Sequence, residues 1–234
     1  VGLAKEGKKV LLIDGDPQGS LTASMGYPEP DEIRETLANI MMAVINEEEI
    51  NPQYAILHQD ENVDLLPGNI ELSGLEITLG NVMSREMILR DYIEMMREYY
   101  DYIIIDCPPS LGMLTINALA ASDGVVIPMQ CEYYALEGLT QLSTTLGHIK
   151  KRYNPRLSIT GILLTMHNPR LALSIQVKEE LKKHYGDRVF TTTIGRNVRL
   201  CEAPSFGKPI VYYDKRAKGT ADYLQFAKEL HERP

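Results

Sequence analysis

Lys8-Lys9-Val10-Leu11-Leu12-Ile13-Asp14-Gly15-Asp16-Pro17-Gln18-Gly19-Ser20 is an apolar run of strand length that stops at two carboxylates and a turn. Open α/β sheets hold their ligands beyond the carboxyl ends of the strands, which is where Asp14 and Asp16 fall. The pattern returns at Tyr102-Ile103-Ile104-Ile105-Asp106-Cys107-Pro108-Pro109, again an apolar run ending in an acid and a proline break. Either run alone reads equally well as a buried strand meeting a turn. Side by side, the two strands are expected to gather Asp14, Asp16 and Asp106 around one ion. Magnesium suits such a place, because it takes hard oxygen ligands and uses one or two protein carboxylates, leaving room for water and phosphate oxygens.

Further strands are expected at Val63 to Leu66, Val125 to Pro128, Ile159 to Leu164 and Val189 to Thr193. They are rich in Val and Ile without alternation, the mark of strands covered on both faces. Helical spacing between them predicts helices over Asp31 to Asn46, Arg85 to Glu98, Leu136 to Arg152, Leu173 to Tyr185 and Thr220 to Glu229, with Asp31 and Thr220 as starts. Strands alternating with helices predict an α/β fold with a doubly wound, mostly parallel sheet. At 234 residues and 44% hydrophobic content, one domain over 1–234 is the simplest organisation.

No apolar run approaches the ~20 residues of a membrane span, and no leader resembles a signal peptide, so a soluble cytoplasmic protein is expected. Cys107, Cys131 and Cys201 are odd in number and lack C-x-x-C spacing, which argues for buried thiols over disulfides or zinc. The net charge of −8 is unevenly spread. Residues 150–218 hold 15 Lys and Arg against 5 Asp and Glu, a balance of +10, and the remainder holds 9 against 27. A basic block of this kind is the electrostatic footprint of a phosphate-backbone contact, although charged helices also simply solvate a surface.

The two acid-ended strands, together with Thr193-Ile194-Gly195-Arg196-Asn197-Val198-Arg199-Leu200-Cys201-Glu202-Ala203-Pro204-Ser205-Phe206-Gly207-Lys208-Pro209, closely resemble the ParA/Soj group of partitioning ATPases, a branch of the deviant-Walker P-loop NTPases that also holds MinD. The resemblance runs over essentially the whole chain. It implies an ATPase that uses ATP and Mg2+, dimerises with ATP, binds double-stranded DNA without sequence preference on the nucleoid and is stimulated by a ParB-like partner, moving chromosome or plasmid copies apart. Asp16 then positions and polarises the attacking water. Asp106 is the Walker B acid that holds magnesium through a water, with Asp14 beside it at the metal or supporting the strand end. Gly195, Arg196 and Asn197 form the base-recognition loop, in which Asn197 reads adenine. Arg170, after Thr165-Met166-His167-Asn168-Pro169, and Arg199 are the DNA contacts. His167 is expected to be a loop residue.

The family's strand and phosphate loop, K-G-G-x-G-K-[ST], has no counterpart in these residues. Gly2-Leu3-Ala4-Lys5-Glu6-Gly7 reads as the end of the helix that follows that loop, so about 25 further residues are expected ahead of Val1. Without that loop the 234 residues are expected to be inactive. Two other functions compete: a non-catalytic DNA- or partner-binding module, and a MinD-like membrane regulator. The second is disfavoured by a C-terminus of mixed charge, Tyr223 to Pro234, that is too short for an interfacial helix.

Overall fold

A computed structural model describes residues 1–59, 62–132 and 135–233. The chain divides into two compact units, the first built of Leu3–Ser122 with Val1 and Pro204–Pro209, the second of Asp123–Ala203 and Ile210–Pro234 with Gly2. Both combine helices with parallel strands, as the expected fold class requires.

In the first unit, helix α1 (Gly2–Lys5) leads to β1 (Val10–Asp14), followed by α2 (Ser20–Ser24), α3 (Leu37–Ile45), β2 (Leu57–Gln59), β3 (Val63–Leu66), α4 (Glu71–Leu79), α5 (Ile88–Met96), β4 (Tyr102–Asp106) and α6 (Met113–Ala121). The strand order is β2-β3-β1-β4. β1 pairs in parallel with both β3 and β4, and all five of its residues are buried, which is why its sequence carries no alternation. α5 buries Ile88, Leu89, Tyr92, Ile93 and Met96, one helical face, against Leu11, Ile13 and Leu66 of the sheet. Asn117 of α6 is fully buried with both ends of its amide used: Nδ2 donates to the carbonyls of Arg85 and Met113, and Oδ1 accepts from Leu89 N–H, capping α5. Among the described residues the second edge of β4 bears no strand, and Ile104 there is 39% exposed. An apolar edge of this kind is a free template for another strand.

In the second unit, β5 (Gly124–Gln130), α7 (Ala135–Arg152), β6 (Ser158–His167), α8 (Ala172–Tyr185), β7 (Val189–Gly195), α9 (Val198–Glu202), α10 (Ile210–Tyr213) and α11 (Lys218–His231) follow in order, with a parallel sheet β5-β6-β7. Phe190 on β7 is buried beneath α11, where Phe226 meets it edge-on at 4.9 Å. The Arg233 guanidinium lies 3.6 Å above the Phe190 ring and donates to the Thr160 carbonyl at 2.9 Å. Only glycine fits at 161, since a Cβ there would collide with that ring.

Several elements differ from expectation. The helix expected over Asp31 to Asn46 begins at Leu37, because Pro30–Glu32 forms a separate 3-10 turn and Thr36 is the true cap, its Oγ1 accepting from Ala38 N–H while Asn39 Oδ1 accepts from Thr36 N–H. α11 starts two residues before Thr220. That threonine is buried and donates to the Asp214 carbonyl at 2.6 Å. α4 and α6 gave no amphipathic signal: α4 contains Gly74 and β-branched Ile77 and Thr78, and α6 is buried on nearly every side. β2 is a three-residue antiparallel strand, too short for periodicity to register. His167 closes β6 and is not a loop residue.

Candidate functional site

Parallel pairing of β1 with β4 sets Asp14 directly opposite Asp106 at the carboxyl ends of adjacent strands. The chain turns sharply after Asp14, and Gly15 N–H donates to the Asp106 carbonyl at 2.9 Å. A Cβ at Gly15 would sit 2.7 Å from that oxygen, so the small residue there answers a close backbone approach. Asp16 follows, half-buried, with Oδ1 accepting from Gln18 N–H at 3.0 Å. Gly19, in the left-handed region at φ 62°, then opens α2.

Asp14 is completely buried and its oxygens are engaged. Oδ2 accepts from both the N–H and the hydroxyl of Thr22 at 2.7 Å, and Oδ1 accepts from Asp16 N–H at 3.3 Å. Thr22 Oγ1 in turn accepts from Gly68 N–H at 3.1 Å, and a Cβ at Gly68 would collide with the Asp14 carbonyl. Asp14 thus fastens the Gly15–Thr22 segment to the sheet. Thr22 and Gly68 complete this anchor and were missed from the sequence; the only signal was a threonine one short helix beyond an acid.

Asp106 presents its side chain to solvent. Desolvation at the strand end first, then the charges of Asp14 and Asp16, raise its carboxyl above the usual aspartate range, with a backbone bond from Cys107 opposing. Asp14 is raised too, by burial above all, with the Thr22 bonds opposing. Carboxylates gathered at the strand ends offer the hard oxygens a divalent ion takes. The three acids do not surround one ion as the sequence suggested: among the described residues no three His, Cys, Asp or Glu are arranged to hold a metal, because Asp14 is turned inward to Thr22. Cys107, next in the chain, is held as a neutral thiol, pushed up to about 12 by burial and the neighbouring acids. The expectation of three buried thiols is not met: Cys107 and Cys131 are half-buried, and Cys201 is exposed on the one-turn helix α9.

The raised acid makes a stability prediction. Neutral Asp106 contributes stability that is fully present below the ordinary value of 3.8 and is lost as pH rises through the elevated folded value. Asp106→Asn keeps the shape and removes the charge, so its melting temperature should exceed the parent's at neutral pH, with the gap closing as pH falls towards 4. A difference independent of pH in a thermal melt series would contradict this.

In the second unit, Gly195 ends β7, and Asn197 caps α9 with Oδ1 accepting from Arg199 N–H at 2.9 Å. Its amide nitrogen donates to no group among the described residues. Arg196 is exposed. The two arginines differ in a way the sequence did not suggest. Arg170 is exposed beyond an Asn168 turn, and among the described residues no carboxylate pairs with it. Arg199 is bound to Glu202 at 2.8 Å and lies 3.5 Å from Asp214, while Tyr213 donates to Glu202 at 3.0 Å. By sequence count, the second unit carries 16 Lys and Arg against 11 Asp and Glu, or +5, and the first carries 8 against 21, or −13. All of the basic block's Lys and Arg except Lys208 therefore lie in the second unit.

Residues 1–159 match a family model described as an AAA domain. The chain is 50% identical over 228 residues to the sporulation initiation inhibitor protein Soj of Bacillus subtilis, spanning 97% of this chain and 88% of that protein. It is 44% identical over 233 residues to the chromosome partitioning protein ParA of Caulobacter vibrioides, spanning 99% and 85%. Cobyrinic acid a,c-diamide synthase from Mycobacterium smegmatis, solved with a bound ATP analog and magnesium, has the same fold at a TM-score of 0.81 and 32% identity, covering 97% of this chain and 83% of that one. With the paired acid-ended strands and these relatives together, the chain belongs to the ParA/Soj family of chromosome-partitioning ATPases.

Proposed function

We propose that the protein is the body of a partition ATPase that binds ATP with Mg2+, pairs as an ATP-bound dimer on nucleoid DNA without sequence preference, and releases it when a ParB-like partner stimulates hydrolysis. The observation that carries this reading is the register match of Asp14 with Asp106, which sets a fixed anchor and a solvent-facing, charge-crowded acid side by side. Asp106 would hold the metal through a water, and Asp16 would orient the attacking water. Phosphoryl transfer asks for positioning and charge neutralisation more than covalent chemistry, so two placed carboxylates meet its demand. Magnesium neutralises phosphate charge when bound. Asn197, with Gly195 and Arg196, would read the adenine edge through the amide donors left after capping α9.

DNA binding is assigned to the second unit on its +5 balance, with Arg170 the principal phosphate contact and Arg199 a secondary one. The competing membrane role is opposed by α11, whose Phe226 packs on Phe190, so the apolar face an interfacial helix needs is in use. No described helix is long and apolar enough to cross a membrane.

The test is magnesium-dependent ATP turnover by these 234 residues. They contain no K-G-G-x-G-K-[ST] stretch, and carboxylates alone repel a triphosphate, so turnover should stay at background. Turnover that disappears in Asp106→Ala would overturn the inactivity and demand a second phosphate cradle.

A further inference from the structure

α6 begins directly after the loop that follows Asp106, and it brings no cap of its own. Its N-cap is Gly112, which has no side chain, and its first turn holds no acid. The missing carboxylate comes from α4. Glu76 Oε1 accepts from Met113 N–H at 2.7 Å and from Leu114 N–H at 3.4 Å. Gly112 is the residue this arrangement requires, because a Cβ there would occupy the place of Glu76 Oε1. A carboxylate on the first amides of a nine-residue helix makes charge-assisted bonds where the helix dipole is most favourable.

We propose that Glu76 is a positioning residue for hydrolysis: it fixes the far end of the Cys107–Gly112 loop so that Asp106 and the loop beside it hold one geometry. The near end is already fixed, since Asp106 lies in the β1 ladder and its carbonyl accepts from Gly15 N–H at 2.9 Å. The middle is tied by Thr115 Oγ1, which donates to the Ser110 carbonyl at 2.7 Å. Glu76 supplies the third tie from an element outside every motif in the sequence. Its loss releases the loop without removing a group that would touch nucleotide, and misplacement of a reacting geometry lowers rate more than affinity. This role in hydrolysis rests on the ATPase reading given above; the tie itself does not.

The experiment compares Glu76→Ala and Glu76→Gln with the parent in two ways. Amide hydrogen exchange on the chain as it stands should show residues 107–114 of Glu76→Ala exchanging at least about tenfold faster, with the β1 and β3 amides unchanged. In a form carrying the lysine loop ahead of Val1, Glu76→Ala should lower kcat about ten- to a hundredfold with KM for ATP nearly constant, and Glu76→Gln, which keeps one acceptor oxygen, should recover part of the rate. Exchange that accelerates throughout the first unit, unchanged exchange at 113 and 114, or a changed KM with constant kcat would each overturn the proposal. If the parent with the lysine loop hydrolyses nothing, the ATPase reading fails and so does a role for Glu76 in hydrolysis, while local exchange at 107–114 still decides whether Glu76 ties the loop.

Discussion

In a form of the chain that carries a strand and K-G-G-x-G-K-[ST] ahead of Val1, Asp16→Ala should retain ATP binding and lose hydrolysis by about a hundredfold or more. The two effects separate if, as proposed, Asp16 orients the attacking water and its neighbours do not. Asp14 is spent on Thr22 and Asp106 stands at the strand end, whereas Asp16 lies one step into the loop with a single backbone bond on Oδ1. Its second oxygen is the one available to orient a water. Replacing it would remove the proposed polariser and leave the strands, the anchor and the loop lysines intact. Among the described residues the second edge of β4 bears no strand, and it would offer the added strand a partner in the first unit. Equilibrium nucleotide binding and single-turnover hydrolysis measure the two quantities independently; a variant that loses both equally would assign Asp16 to binding.

Arg170→Glu should weaken binding to random-sequence duplex about tenfold near physiological salt and reduce the slope of log affinity against log salt by about 1, equally for every sequence tried. The same change at Arg199 should cost less. Arg170 has no carboxylate partner among the described residues and would meet a phosphate with its full charge, while the Arg199 charge is already shared by Glu202 and Asp214. Exposed ion pairs of that kind are worth little in themselves, so Arg199 would turn to DNA at small cost. Salt-dependent fluorescence anisotropy would decide the order. Unchanged affinity in the double variant would move the basic face to Lys150, Lys151 and Lys215.

The parts of the fold that were legible in the sequence are those in which composition and burial coincide. β1 is buried at every position and its run of Val, Leu and Ile is unbroken, so its extent and its acid end were readable. α5 buries one face and exposes the other, and its spacing was readable for the same reason. α6 was not, because a helix buried on nearly all sides has no period to detect. In the site, the pairing of Asp14 with Asp106 follows from two similar strand ends, but the division of labour between them depends on Thr22, which acts through a hydroxyl and an amide that no spacing announces. The partners of Arg199 were half visible: Glu202 lies three residues on, one helical turn away, whereas Asp214 arrives through the fold. Glu76 gave no signal at all, since it caps a helix 37 positions away.

In the proposed function Asp106 stands where magnesium and a nucleotide phosphate meet. The most direct test of that placement is calorimetric titration of ATP into the form bearing the lysine loop, with and without Mg2+, beside Asp106→Ala. The account predicts that Mg2+ tightens ATP binding by about tenfold or more in the parent and has no such effect in the variant. Equal tightening in both proteins would place the metal elsewhere and contradict it.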